Sequence, residues 1–212
     1  MHQSDVTQTS EAVAPTPLAA AAALAGSARV GDVLRITGGA LLVAAGAQFV
    51  RLPVPGTDVP MTLQLAAVLI LAFSLPALQA MAAIGLYLAS GVAGLPVFAG
   101  AGGLLGPTGG YLVGFLIAAW LVSTLRGRGR AGWWRLLASG AAGTVVVFAF
   151  GVLWRIVLFR GAGPWAGDVT LAVITGVAPF VLKAMLELLF AVTLAVSVRN
   201  WRAAHRRAPR PA

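Results

Sequence analysis

Of the 212 residues in the chain, 59 % are hydrophobic and only 10 % are charged, and the mean hydropathy is +0.90. A water-soluble domain is about one quarter charged, because polar side chains must cover its surface. Residues 59–125 contain no Asp, Glu, Lys, Arg or His, and lipid solvates such a stretch better than water does. The composition therefore excludes a soluble domain and predicts one integral membrane bundle.

The inventory of reactive side chains excludes several classes of site. The chain has no Cys, which excludes disulfides, thiolate metal sites and Cys nucleophiles. Its two histidines, His2 and His205, lie in polar tails, so we expect neither a His-ligated metal nor a Ser-His triad within the bundle. No glycine-rich loop is followed by Gly-Lys-Ser/Thr, the signature of an ATP site. We therefore expect no catalytic residue, no metal and no cofactor.

In chain order, the hydrophobic segments predict an all-α fold with six transmembrane helices. Residues 1–28 are predicted to be a disordered tail, since their apolar stretch is only eight residues long. Residues 29–200 form the predicted membrane domain, and residues 201–212 a basic tail. The predicted spans cover residues 36–50, 61–75, 77–91, 111–125, 136–159 and 180–198.

The segment between the third and fourth spans differs from the other hydrophobic segments. Residues 94–114 hold eight glycines and two prolines and carry no charge. Glycine and proline at this density do not form a regular helix. Irregular backbone at membrane depth must be buried in protein or line a cavity, because lipid cannot pair its amides. The segment therefore predicts a pocket within the bundle.

The arginines predict how the bundle is oriented in the membrane. With six spans, one side receives eleven arginines, whereas the other receives only Arg51, Arg155 and Arg160. Positively charged residues are retained in the cytoplasm, so we predict that both tails are cytoplasmic and that the chain lies in the cell membrane. Topology and attraction to anionic lipid also account for the basic tail, so we expect no nucleic-acid partner.

Lys183 is the only lysine, and Glu187 is the only acidic residue within a predicted span. They lie four residues apart and share one face of the last span. One interpretation is a structural ion pair, or a lysine that extends outward to the headgroups. The other is an anion site, in which the free N–H groups of the helix start assist the ammonium. We favour the anion site, because ionisable groups inside a membrane are functional by default.

Other polar candidates lie near the predicted pocket. Gln64 follows a proline-bounded loop at the start of the second span, where its amide either meets a ligand or forms an interhelical hydrogen bond. Tyr87, Thr108 and Tyr111 carry hydroxyl groups close to the glycine-rich segment. A tyrosine at the membrane interface is common without any ligand, so each of these is a weak signal alone.

A stripe of small residues lies on the first span. Ala40 and Ala44 are followed at the same spacing by Gln48. Small residues at i and i+4 permit close approach of another helix. The stripe either packs within the bundle or docks a partner subunit.

Two parts of the sequence closely resemble the BioY family, and the similarity extends over residues 34–199. One is Pro60-Met-Thr-Leu-Gln64 after the proline-rich loop. The more specific one is Gly94-Leu-Pro-Val-Phe-Ala-Gly100 with Gly102-Gly-Leu-Leu-Gly-Pro-Thr-Gly-Gly-Tyr111.

The resemblance implies the biotin-specific substrate-binding (S) component of an energy-coupling factor (ECF) transporter. Such a protein is a six-helix subunit that captures biotin from outside with high affinity. The implied partners are a membrane-embedded coupling subunit, which would contact Ala40 and Ala44, and two cytoplasmic ATPases. The expected substrate-binding residues are Gln64, Tyr87, Thr108, Gly109, Gly110, Tyr111, Lys183 and Glu187.

The sequence departs from the family pattern at the start of the last span. The family usually carries Asp-x-x-Lys there, whereas Phe180 occupies the Asp position three residues before Lys183. Either Glu187 or a rotated helix compensates for the missing acid, or biotin affinity is impaired. The alternative function is therefore a membrane scaffold, or a degenerate S component that no longer binds biotin.

Overall fold

The computed structural model describes residues 17–127, 131–158 and 168–205, with side chains from residue 29 onward. Within this part of the chain the regular secondary structure is helical, and the connecting segments add an isolated bridge between Leu52 and Met61. The helices in chain order are α1 (Pro17–Gln48), α2 (Gln64–Ser74), α3 (Ala77–Val92), α4 (Gly109–Leu125), α5 (Trp133–Leu158), α6 (Val169–Gly176) and α7 (Val181–His205). Single 3-10 turns occur at Gly103–Leu105 and Ala178–Phe180.

The first helix begins earlier than the sequence predicted. Residues 17–28, which the sequence assigns to a disordered tail, have helical backbone in α1. Proline is favoured in the first turn of a helix, and the alanine run that follows has the highest helix propensity, so the helix continues into the first apolar segment. Residues 1–16 lie outside the described residues. The chain divides into two compact units, Met1–Leu34 and Arg35–Ala212, and the bundle belongs to the second.

Helices α2 to α5 begin and end within three residues of the predicted spans. α3 and α4 end within one residue of the prediction, at Val92 and Leu125. A 3-10 turn that contains Pro179 separates α6 from α7, because proline has no N–H group to continue a helix. α7 extends to His205, five residues into the predicted basic tail, and residues 206–212 lie outside the described residues.

Length and composition indicate which helices belong in a membrane. Arg29–Gln48, Trp133–Val157 and Val169–His205 are long and apolar enough to cross one, and the last combines α6 with α7. α2, α3 and α4 are shorter apolar helices. Many large apolar side chains, such as Leu78 and Leu182, are exposed, as expected where lipid is the solvent. The fold is therefore an all-helical membrane bundle.

α4 occupies the centre of the bundle, where it packs against α2, α3 and α5. Glycines on α4 bring it close to α5. A Cβ at Gly110 would lie 2.3 Å from the Cβ of Trp154 and 2.4 Å from the carbonyl oxygen of Phe150, and a Cβ at Gly114 would lie 2.9 Å from the Cα of Val147. Because small residues let two helix backbones approach, these glycines set the spacing of α4 and α5.

The end of α4 also supplies hydrogen-bond donors to the turn between α2 and α3. Pro76 lacks an N–H group, so the carbonyl of Ala72 receives no donor from its own helix. Ser123 Oγ donates to this carbonyl at 3.0 Å, and Arg126 Nε donates to it at 2.7 Å. Arg126 also donates through Nη2 to the carbonyl of Leu75 at 2.7 Å. These bonds satisfy buried backbone oxygens that lipid cannot pair.

We expect Gly110→Ala to lower the melting temperature of the detergent-solubilised protein by several degrees. The added methyl group meets Trp154 and backbone of α5, and overpacking of this kind costs about 1–3 kcal/mol. Thermal unfolding followed by tryptophan fluorescence measures the change. Gly85→Ala in α3 is the matched control, because nothing lies within 4 Å of the Cβ it would add. Equal melting temperatures for the two variants would contradict the close approach of α4 and α5.

Candidate functional site

A cavity lies at the end of the bundle where α2, α4 and α7 begin. It contains about 610 Å³ of space outside atoms, part of which is open to the exterior. Its apolar walls are formed by Val59, Pro60, Leu65, Ala99, Gly100, Leu112, Phe115, Val147, Phe148, Phe180 and Ala184. Its polar lining residues are Thr62, Gln64, Thr108, Tyr111 and Lys183.

The polar side chains reach the cavity because three helices begin at the same end of the bundle. Gln64 is the first residue of α2, Thr108 directly precedes α4, and Lys183 lies in the first turn of α7. Helix starts carry partial positive charge, which adds to that of the Lys183 ammonium. The structure thus brings together four of the predicted site residues, Gln64, Thr108, Tyr111 and Lys183.

A chain of hydrogen bonds holds Gln64 at the cavity wall. Its Nε2 donates to the hydroxyl of Tyr87 at 2.8 Å, and its Oε1 accepts from Thr62 Oγ1 at 3.2 Å. The Tyr87 hydroxyl donates in turn to the carbonyl of Val97 at 3.4 Å, and its ring meets the ring of Phe98 edge-on at 5.5 Å. Tyr87 is only 1 % exposed and does not line the cavity. It positions Gln64 and connects it to the glycine-rich segment.

Lys183 and Glu187 form an ion pair beside the cavity. The Lys183 ammonium lies 2.7 Å from Glu187 Oε2, with side-chain exposures of 24 % and 5 %. Lys183 lines the cavity and also borders a separate groove between α1, α2 and α7, whereas Glu187 borders only the groove. An ammonium has three donors, and Glu187 accepts one. The pair therefore keeps a cation at the cavity with further donors for another partner.

Thr108 presents a buried hydroxyl to the cavity. Its side-chain oxygen has no hydrogen-bond partner among the described residues. Gly100 lies opposite, and a Cβ there would be 2.6 Å from Thr108 Oγ1, so only glycine leaves this hydroxyl room. Because a buried polar group without a partner is costly, Thr108 is suited to bond an atom in the cavity.

Tyr111 contributes its ring to the cavity and its hydroxyl to α6. The hydroxyl donates to the carbonyl of Gly176 at 2.8 Å. Two glycines make room for the side chain, since a Cβ at Gly151 would lie 2.3 Å from the ring and one at Gly176 would lie 2.7 Å from the hydroxyl. The fully buried Arg155 of α5 packs nearby and donates from Nη2 to Thr175 Oγ1 at 3.3 Å. This arrangement joins α4, α5 and α6 behind the cavity.

Gly109 and Gly110, which the sequence predicts to bind substrate, pack against α5. Neither lines the cavity, and a Cβ on either would meet the side chain of Trp154. The Trp154 ring nitrogen donates to the carbonyl of Gly106 at 3.1 Å. The two glycines therefore serve the packing of α4 against α5, which indirectly shapes the cavity.

The stripe of small residues on α1, which the sequence assigned either to packing within the bundle or to a partner subunit, faces the core. Ala40 is buried, and Ala44 is partly buried against the core. A Cβ at the neighbouring Gly39 would lie 2.8 Å from the Cβ of Ala83, which shows how closely α1 packs on α3. Gln48, at the end of the stripe, donates to a carbonyl of the glycine-rich segment at 2.9 Å. The stripe thus packs within the bundle.

Sequence reasoning missed most of the apolar lining. Val147 and Phe148 come from α5, which is apolar on all sides, so no periodic pattern marks its inner face. Phe115 and Phe180 also line the cavity, and neither carries a polar group that would distinguish it in an apolar sequence. Phe180, three residues before Lys183, lies at the cavity wall.

Comparison with known proteins identifies relatives over most of the chain. A family model described as the BioY family matches residues 17–204. The biotin transporter BioY of Thermotoga maritima is 34 % identical over 151 residues, which cover 69 % of this chain and 85 % of the relative. The probable biotin transporter BioY of Pyrococcus horikoshii is 32 % identical over 162 residues, which cover 74 % of this chain and 90 % of the relative.

A third relative and a solved structure agree with these matches. The biotin transporter BioY2 of Lactococcus lactis is 33 % identical over 165 residues, which cover 72 % of this chain and 87 % of the relative. The fold matches a crystal structure of the S-component for biotin from an ECF-type ABC transporter with a TM-score of 0.71 and 20 % identity. That match covers 82 % of this chain and 93 % of the chain in the crystal structure.

We expect Tyr87→Phe to destabilise the protein by about 0.5–2 kcal/mol, because it leaves the buried Gln64 amide without its acceptor. The melting temperature in detergent should fall by a few degrees. Adding Gln64→Leu removes both partners, so the double variant should recover part of the loss. A Tyr87→Phe protein as stable as the parent would show that this hydrogen bond contributes nothing.

Proposed function

This chain belongs to the BioY family, and we propose that it captures biotin as the membrane-embedded substrate-binding subunit of an ECF-type transporter. The observation that carries the proposal is the convergence of Lys183, Gln64 and Thr108 on one apolar cavity. Biotin has an apolar bicyclic ring, a ureido group and a carboxylate, so it suits an apolar cavity with a few placed polar groups. In this role the chain is a transport component and not an enzyme.

Each lining group has a role in the proposed complex. The Lys183 ammonium donates to a carboxylate or ureido oxygen of the ligand, as a charge-assisted hydrogen bond. The Gln64 side chain and the Thr108 hydroxyl bond the remaining polar edge. The rings of Tyr111 and Phe148 meet edge-on, with centroids 6.4 Å apart, and pack on the apolar part of the ligand.

We propose six spans, formed by α1, α2, α3, α4, α5 and α7. The 11 residues of α2 rise only about 16 Å, roughly half of the hydrocarbon thickness. Non-helical backbone therefore occupies the remaining depth beside α2, and it must be covered by protein or line a cavity. The connection between α3 and α4, residues 93–108, and the loop before α2 meet this requirement, since both contribute residues to the cavity.

We propose that the cavity opens away from the cytosol. Arg51 and Arg155 lie at the cavity end of the described bundle, whereas the opposite end carries Arg126, Arg135, Arg199 and Arg202. The end richer in arginine remains cytoplasmic, so both tails are cytoplasmic and the ligand enters from outside. This orientation is the one that uptake requires.

Uphill uptake requires an energy source, and the sequence has no nucleotide-binding motif. We therefore propose that a membrane coupling subunit and two cytoplasmic ATPases act with this chain. Ala40 and Ala44 reach such a partner only if α1 shifts, because both side chains pack against the core.

A scaffold, or a degenerate S component, is the second candidate, and the observation in its favour is Phe180 at the family's Asp position. Glu187 weakens this alternative, because it supplies a carboxylate to Lys183 from the next turn of α7. Equilibrium binding of radiolabelled biotin to the purified protein discriminates the two. Lipoate is a suitable control ligand, because it shares the acidic chain of biotin but lacks the ureido group. Retention of biotin but not lipoate supports capture, and retention of neither supports the second candidate.

We expect Lys183→Ala to weaken biotin binding more than tenfold. The variant removes a charged hydrogen bond, which is worth about 1.5–3 kcal/mol. Leu182→Ala is the matched control, because Leu182 is exposed and does not line the cavity. A titration with labelled biotin measures both affinities. An unchanged affinity in Lys183→Ala would exclude Lys183 from the site.

We expect Glu187→Gln to weaken biotin binding by about threefold to tenfold, because a neutral amide holds the Lys183 ammonium less firmly than a carboxylate does. The same titration measures the effect, and the melting temperature of the variant checks that it is folded. A folded Glu187→Gln protein with the affinity of the parent would show that Glu187 does not compensate for the missing acid.

A further inference from the structure

A second cavity lies at the opposite end of the bundle, between α2 and α7. It contains about 1200 Å³ of space outside atoms, part of which is open to the exterior. α2 contributes Ile70 and Phe73, and α7 contributes Leu194 and Val198, so the walls are apolar. This cavity is separate from the proposed biotin site, because the two share no lining residue.

Two arginines lie at one end of this cavity. Arg199 donates from Nη1 to the carbonyl of Ala131, which fixes part of its guanidinium. Arg202 is exposed and has neither a hydrogen-bond nor an ion-pair partner among the described residues. No acidic residue lines the cavity, whereas the exposed Ser74 adds a hydroxyl from the end of α2. The mouth therefore attracts an anion.

The neighbouring residues indicate the depth of the mouth. Trp201 is 61 % exposed and contacts the His205 ring, with ring centroids 4.3 Å apart and planes tilted by 38°. Exposed tryptophans concentrate at the headgroup level of a bilayer. Arg199 and Arg202 lie within two residues of Trp201, so the two guanidinium groups lie where lipid phosphates are found, and the apolar walls lie deeper among the acyl chains.

From these features we propose that the cavity between α2 and α7 binds one anionic phospholipid. The phosphate bonds Arg202 and the free donors of Arg199, and an acyl chain fills the apolar space beside Ile70 and Phe73. The two parts of the cavity together select this ligand. A free phosphate would leave the apolar walls unfilled, and a zwitterionic lipid would place a second positive charge beside the arginines.

Native mass spectrometry of the full chain in detergent tests the proposal, with phosphatidylglycerol, phosphatidylcholine and inorganic phosphate as separate additions. We expect one phosphatidylglycerol to be retained about tenfold more tightly than phosphatidylcholine, and no retention of phosphate. Arg202→Gln should weaken phosphatidylglycerol binding about fivefold, since one basic side chain near the lipid surface contributes about this much. Arg29→Gln removes the same charge from an exposed arginine of α1 and should change binding less than twofold.

A second variant tests the apolar part of the cavity while it keeps both arginines. Ala195→Trp fills the space between α2 and α7, so bound phosphatidylglycerol should be lost. Elution as a single species in size-exclusion chromatography checks that each variant is folded. Equal weakening by Arg202→Gln and Arg29→Gln, or full binding in a folded Ala195→Trp protein, would overturn the proposal, because either result indicates general attraction to the basic end of the bundle. Retention of free phosphate would also overturn it.

Discussion

Lipid offers no hydrogen-bond partner to a protein, and most of the architecture of this bundle follows from that constraint. Every polar group at membrane depth must find its partner within the chain. The carbonyl of Ala72 accepts hydrogen bonds from Ser123 and Arg126, because Pro76 has no N–H group to donate to it. The Lys183 ammonium donates to the Glu187 carboxylate for the same reason. The Thr108 hydroxyl, which has no partner among the described residues, points to the place where the protein accommodates something else.

Glycine makes these close contacts possible. α4 can approach α5 because Gly110 and Gly114 leave no side chain between the two backbones. Tyr111 can extend to α6 because Gly151 leaves space for its ring. The same residue type therefore packs the helices and leaves room at the cavity wall, where Gly100 faces Thr108, although Gly109 and Gly110 do not line the cavity.

Much of the site could be predicted because its polar members are rare in this sequence. A single lysine, a glutamine after a proline-rich loop and hydroxyl groups beside the glycines stand out against an apolar background, and four of them line the cavity. Phe148 and Phe180 could not be predicted, because one more apolar residue on an apolar helix carries no signal. Ala40 and Ala44 were ambiguous for a related reason, since small residues suit the interior of a bundle as well as a subunit interface.

The sequence by itself determined the solvent, the helical class and the family, because hydropathy and the glycine-rich string are local properties of the chain. Only the tertiary structure decided that Lys183 lines the cavity whereas Glu187 does not, and that Tyr87 supports Gln64 from outside the cavity. Helical spacing places two residues on one face, but the packing of neighbouring helices decides which of them reaches the cavity. That packing depends on contacts between residues far apart in the chain, which no local pattern records.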